Sequence, residues 1–289
     1  MRVLSEVSRV VTVGEKTVAL TRTEFAILKL LIQNSGQVIA KSVLLDRISM
    51  DTPDCTENSF NRIFAIRLTF SSSTDRSLRR WLGMNRLVIY IHGKGGNAKE
   101  AEHYKTLFPK DDVIGFDYQS QNPWEAKVEF SDFYEKETKG YTSVIVVANS
   151  IGANFTMSAL ADKKIEKAFF ISPIVDMKKL IQDMMQWAGV TKEELQEKGE
   201  IPTDFGETLS WKYYSYVCEY PVRWKIPTYI LYGEKDHMTS EKTITTFAKE
   251  TGASLTIMPK GEHWFHTEKQ MEFLDQWISV CVRGEKQYA

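Results

Sequence analysis

The sequence predicts an α/β architecture, a mostly parallel sheet covered by helices on both faces, preceded by a small α+β unit. Three observations carry this. From Asn85 onward, short runs of β-branched and apolar residues alternate with stretches of helical periodicity, the pattern of a parallel sheet with crossover helices. Before that point the order differs, with two alternating runs followed by three short amphipathic stretches. The two regions are separated by the polar tetrad Ser71-Ser72-Ser73-Thr74.

Composition narrows the class. The 289 residues are 43% hydrophobic and 12% aromatic, as in folded globular chains rather than disordered ones. No run of about 18 apolar residues suggests a membrane span. Charges are scattered through residues 1–20, so no secretory leader is expected. Three cysteines, Cys55, Cys218 and Cys281, are widely spaced and odd in number, which suits a reducing cytoplasm and excludes a disulfide framework. Neither cofactor nor metal is expected. Residues 1–83 carry 12 Lys/Arg against 8 Asp/Glu, and the remainder 25 against 30, so the two regions differ in sign and in the partners they suit.

The first region reads in order. Val10, Val11 and Val13, then Val18 and Leu20, flank Gly14 as a hairpin. Thr21-Arg22-Thr23-Glu24 is a capping box opening a helix that ends at Asn34-Ser35-Gly36. Further helices are expected at about 41–48 and 56–70, the last with Phe60, Ile63, Phe64 and Leu68 inward and Arg62 and Arg67 available. Over roughly residues 5–70 this order, with Leu20-Thr21-Arg22-Thr23-Glu24-Phe25 at the junction, resembles the winged-helix effector domain of OmpR/PhoB-type response regulators. The resemblance implies a third helix that enters the DNA major groove. The sequence departs from the family after that helix. The wing hairpin is replaced by the polar linker at 71–83, and the helix carries only two cations. DNA is thus a partner that the resemblance allows for residues 1–70 and that the missing wing counts against.

In the second region, expected to span 84–289, strands are expected at 87–91, 113–116, 143–148, 167–172, 228–232 and 254–258. Helices are expected at about 98–107, 124–134, 153–160, 240–250 and 268–281. An insertion at about 174–226 interrupts them. It holds Met184 and Trp187 at helical spacing, a capping box at Thr191–Glu194, and the aromatics Trp211 and Tyr214, and it reads as a helical lid.

The chemistry concentrates where strands end. Val144–Ala148 leads into Asn149-Ser150-Ile151-Gly152 and then a helical pattern, which places a serine on a sharp strand-to-helix turn with small residues two before and two after. A helix start behind that serine favours a developing anion. The same pentapeptide also fits a serine that merely caps the helix. Asp236 follows the strand ending at Tyr232, and His263 follows the strand ending at Met258, both at carboxyl ends where such sites lie. Asp236 also fits a turn residue and His263 a plain loop histidine. His92-Gly93-Lys94 follows the first strand of this region.

These four stretches, over roughly residues 85–282, resemble the α/β-hydrolase superfamily, with Ala148 in place of the first glycine of its G-x-S-x-G elbow. The resemblance implies Ser150 as nucleophile, His263 as general base and Asp236 as its partner, with Asp176 in reserve as the acid. It implies the amides of Lys94 and Ile151 as oxyanion donors. His92, Met184, Trp187, Trp211 and Tyr214 are expected along the substrate pocket. His92 reads more simply as ordering its own turn, and His103 and His237 as surface residues. The function expected is hydrolysis of a carboxylic ester or similar acyl bond on a small-molecule substrate. The alternative is a non-catalytic hydrolase-fold ligand sensor coupled to a DNA-binding regulator domain.

Overall fold

The computed structural model describes residues 2–5, 10–13, 16–33 and 86–283. Contacts divide the chain into two compact units, the larger comprising Leu87–Lys139 and the chain from Ser143 onward.

In the smaller unit β1 (Arg2–Ser5), β2 (Val10–Val13) and β3 (Lys16–Ala19) form an antiparallel sheet. The expected hairpin is β2–β3, paired Val13 with Lys16 and Val10 with Ala19. Strand β1, paired Arg2 with Val13, was not foreseen, because Val3 and Leu4 alone carry too little alternation to signal a strand. Helix α1 (Arg22–Gln33) starts at the expected capping box. The Glu24 amide donates to Thr21 Oγ1 at 3.2 Å, and the Thr21 amide donates to Glu24 Oε2 at 2.8 Å. The helices expected at 41–48 and 56–70 and the linker at 71–83 lie outside the described residues.

The larger unit is built on a six-stranded sheet of order β11-β10-β7-β6-β4-β5. Its strands are β4 (Arg86–Ile91), β5 (Asp112–Phe116), β6 (Ser143–Asn149), β7 (Lys167–Ile171), β10 (Thr228–Gly233) and β11 (Ser254–Met258). The pairs β4–β5, β6–β7, β7–β10 and β10–β11 are parallel. Their near-continuous apolar runs follow from burial on both faces, as for Val144–Ala148, at most 4% exposed. Helices α2 (Ala101–Leu107), α3 (Pro123–Glu137), α4 (Ser150–Ala159), α8 (Glu241–Thr251) and α9 (Glu268–Arg283) flank it. Helix α9 buries Leu274, Trp277 and Ile278 in the cluster around Phe169, with Trp277 edge-on to Phe169 at 5.8 Å. Each such side chain is worth about 1.5–3 kcal/mol of burial.

The insertion forms α5 (Met177–Ala188), α6 (Lys192–Lys198), the antiparallel hairpin β8 (Glu200–Pro202) with β9 (Thr208–Ser210), and α7 (Trp211–Glu219). The hairpin is a second unforeseen element. The sheet changes winding direction at β4 and β6, since β4 leads outward to β5 while β6 leads the other way to β7. A crevice for ligands is expected there, at the carboxyl ends of the strands.

Candidate active site

Ser150 stands at the carboxyl end of β6 with φ +49°. Among the described residues the other non-glycine positive φ values are Ser172 and Lys260, just past β7 and β11, so the strained backbone gathers along this one edge of the sheet. Gly152 makes the turn possible: a Cβ there would stand 2.3 Å from the His92 carbonyl oxygen. Ala148 sits fully buried in the strand, paired across to Phe170, and the elbow forms without the family's first glycine. The serine is not the helix cap. The N-cap of α4 is Asn149, which makes no side-chain cap bond, so no side chain of the cap occupies the first amides of α4.

Ser150 Oγ instead meets His263 Nε2 at 2.8 Å, and His263 Nδ1 meets Asp236 Oδ2 at 2.7 Å. The Asp236 side chain is wholly buried and that of His263 is 18% exposed. Asp236 Oδ1 accepts from the amides of Met238 at 2.8 Å and Thr239 at 3.2 Å. The carboxylate therefore has each oxygen committed, one to backbone and one to the imidazole. Tyr232 holds the same loop by donating to the Thr239 carbonyl at 2.8 Å, and burial pushes its phenol up to about 12, so it remains a donor at neutral pH. In chemical terms this chain of three groups can take a proton from the serine oxygen and balance the imidazolium that results.

Asp176 is elsewhere. It caps α5, accepting from the Lys179 amide at 2.9 Å. His266 Nδ1 lies 2.7 Å from the Trp264 carbonyl, and its ring stacks on Trp264. His92 stacks on Tyr118 at 4.3 Å with Nδ1 2.8 Å from the Gly93 carbonyl, so it orders its own turn. That carbonyl also accepts from the Gly96 amide at 3.1 Å. In a trans peptide the Lys94 N–H points opposite to the carbonyl so held. The Lys94 ammonium pairs with Glu207, between β8 and β9 of the insertion.

A cavity of about 800 Å³ opens on Ser150 and His263, walled by the turn 93–96, the start of α2, the loop 263–266 and α9. None of His92, Met184, Trp187, Trp211 and Tyr214 lines it, which corrects the expected pocket. Met184, Trp211 and Tyr214 pack into a cluster with Leu180 and Leu195 of the insertion, which Ile151 and Met238 also join. Trp187 is 55% exposed against Phe205. A helix stripe that packs against neighbouring helices has the same periodicity as one that walls a pocket. The cavity's walls include Tyr90, Asn149 and Glu100, for which no role was expected, and His103, which was expected on the surface. His103 is half-buried and pairs with Asp275 of α9 at 2.7 Å rather than lying free on the surface. Asn97-x-x-Glu100 is a capping-box spacing and was a readable signal for Glu100. Among the described residues no cluster suited to a metal ion occurs, and no helix is long and apolar enough to cross a membrane.

Residues 14–64 match the family model of the transcriptional regulatory protein C-terminal domain, in agreement with the OmpR/PhoB-type resemblance. The larger unit is similar to Est1E from Butyrivibrio proteoclasticus, at 15% identity over 69% of this chain and 88% of that one, with a TM-score of 0.54. It is also similar to alpha/beta hydrolase domain-containing protein 10 from mouse, at 15% identity over 68% of this chain and 90% of that one, with a TM-score of 0.55. At such identity the likeness is one of fold, and residues 86–283 have the α/β-hydrolase fold. No curated protein sequence matches the chain.

Proposed function

We propose that residues 84–289 act as a serine hydrolase on a carboxylic ester or similar acyl bond. The observation that carries this reading is the unbroken relay from Ser150 Oγ through His263 to a buried Asp236, with contacts of 2.8 and 2.7 Å. His263 takes the Ser150 proton as the oxygen attacks the acyl carbon. The Lys94 and Ile151 amides receive the charge on the carbonyl oxygen. Collapse expels the alcohol, protonated by His263, and leaves an acyl group on Ser150. Water, deprotonated by the same imidazole, then releases the acid. The apolar part of the cavity, from Ile171, Met238, Phe265 and Leu274, suits a medium apolar acyl group. The free thiols of Cys218 and Cys281 fit a reducing, cytoplasmic setting.

The test is labelling by a fluorophosphonate probe together with turnover of p-nitrophenyl esters of graded chain length. Labelling at Ser150 and turnover are expected, and absence of both would falsify the reading. The regulator-type match at residues 14–64 favours a second reading, a ligand sensor coupled to DNA binding. An unlabelled Ser150 in a chain that binds a specific DNA sequence would select it.

A further inference from the structure

We propose, resting on the hydrolase reading, that Glu100 and Tyr90 are positioning residues that tie the oxyanion turn to the nucleophile's elbow. The bridge is a chain of hydrogen bonds that converges from both sides on the Glu100 carboxylate. Asn149, the residue before Ser150, donates through Nδ2 to the Tyr90 hydroxyl at 2.9 Å. Tyr90 donates to Glu100 Oε2. Glu100 Oε1 accepts from the Asn97 amide at 3.1 Å. The chain starts at the elbow and ends at the residue that leaves the turn 93–96.

The turn needs such a fastening. It is glycine at 93, 95 and 96, with Gly95 at φ +76°, so its own side chains restrain it little. It must lie close to the elbow, since a Cβ on Gly93 would stand 3.2 Å from Ser150 Cβ. Gly96 lies against the same carboxylate, its Cβ direction 2.8 Å from Glu100 Oε1. Lys94, whose amide is the proposed oxyanion donor, is thus held at both ends. His92 and the Gly96 amide fix the Gly93 carbonyl, and Glu100 fixes the exit. Tyr90 is almost wholly buried, and burial, with Tyr104 and Glu100 beside it, drives its phenol far above the ordinary range, so it always presents its proton to Glu100. Displacing a donor by a fraction of an ångström weakens transition-state binding without touching ground-state binding.

The test compares Tyr90→Phe, Glu100→Gln and Glu100→Ala with the full wild-type chain. Tyr90→Phe cuts the bridge and keeps the ring stacked on Tyr104 as well as the Glu100 cap. Glu100→Gln keeps one acceptor oxygen. The measurements are kcat and KM per titrated active site on a p-nitrophenyl ester, and Ki for a trifluoromethyl ketone, whose hemiketal oxyanion requires the donors. Expected for Tyr90→Phe and Glu100→Ala is a fall in kcat of about 10- to 100-fold, below the cost of deleting a donor outright, with KM within about twofold and Ki rising in parallel with the loss. Glu100→Gln is expected to recover part of it. If kcat per site stays within about twofold of wild type in both variants, or if only KM moves, the inference is overturned while the hydrolase reading stands. If the wild-type chain neither turns over nor labels, both are overturned together.

Discussion

The Lys235 amide donates to the Gly261 carbonyl at 2.8 Å. Beside it the Glu234 amide donates to the Met258 carbonyl at 3.1 Å, and the Lys260 amide to Glu234 Oε2 at 2.7 Å. The loop that carries Asp236 and the loop that carries His263 are therefore zipped into one piece, although 27 positions separate the two residues. Acid and base reach the elbow already set against each other, which lowers the entropy cost of assembling them.

Asp236→Asn should reduce kcat by about 10⁴-fold. Asp236 Oδ1 is held by two amide donors, so the asparagine oxygen must stay there and its NH₂ must face His263 Nδ1. The imidazole is then forced to carry its proton on Nε2 and cannot accept from Ser150. Asp176→Asn keeps a helix cap and should leave kcat within about twofold. Equal losses in the two variants, read by steady-state kinetics, would refute the assignment of the acid.

His263→Ala and Ser150→Ala should each lower turnover by about 10⁴-fold or more. His266→Ala should cost about tenfold at most, with the probe still labelling Ser150, because its ring is engaged with Trp264 and lies outside the relay. The reverse ranking of the two histidines would show that the loop supplies a different base.

Gly152→Ala should be destabilising by about 1–3 kcal/mol or more and should abolish activity, since its Cβ would stand 2.3 Å from the His92 carbonyl oxygen and would push the elbow off β4. Chemical denaturation alongside kinetics checks this. A fully active, equally stable variant would mean that the elbow and β4 are further apart than described.

Of the two described thiols, Cys218 is exposed, whereas Cys281 is buried in α9 with burial pushing its pKa up to about 11. A raised thiol pKa means less thiolate at pH 8, so iodoacetamide followed by peptide mapping should modify Cys218 and spare Cys281 in the folded protein. The same shift contributes stability that is complete below the unfolded thiol's pKa of about 9 and declines as pH rises toward 11. Rapid modification of Cys281 at pH 8 would contradict its burial.

A chain beginning at Met84 should hydrolyse the same esters with an unchanged KM, since every strand of the sheet and every group of the relay lies at residue 86 or beyond. Residues 1–83 should bind no DNA sequence tightly at physiological salt, nonspecific binding being about 10⁻⁴–10⁻⁶ M. An inactive shorter chain, or a nanomolar, sequence-selective gel shift, would contradict these two expectations in turn.

The six sheet strands, and the places of Ser150, Asp236 and His263 just past three of them, could be read from the chain because each is a local signal, whereas their pairing came only as what the resemblance implied, with Asp176 in reserve as the acid. A strand buried on both faces must be a short continuous apolar run, as Val144–Ala148 is, and it needs a glycine or a polar loop where it stops. Ser150, Asp236 and His263 each stand just past such a stop. The replacement of the first elbow glycine by Ala148 left the signal intact, because a methyl group in the strand does not oppose the turn.

Sequence alone determined the class of fold and the order of the six sheet strands with the helices between them, and it left the acid between Asp236 and Asp176. Tertiary structure decided the rest. It took Met184, Trp211 and Tyr214 into the cluster of the insertion instead of the cavity, brought His103 to Asp275 across 172 positions, and joined Asn149 to Tyr90 across 59. The physical reason is range. Periodicity reports which face of an element is apolar, and what that face touches depends on segments far away in sequence. A bridge such as Asn149–Tyr90–Glu100 exists only after β4 and β6 have paired side by side.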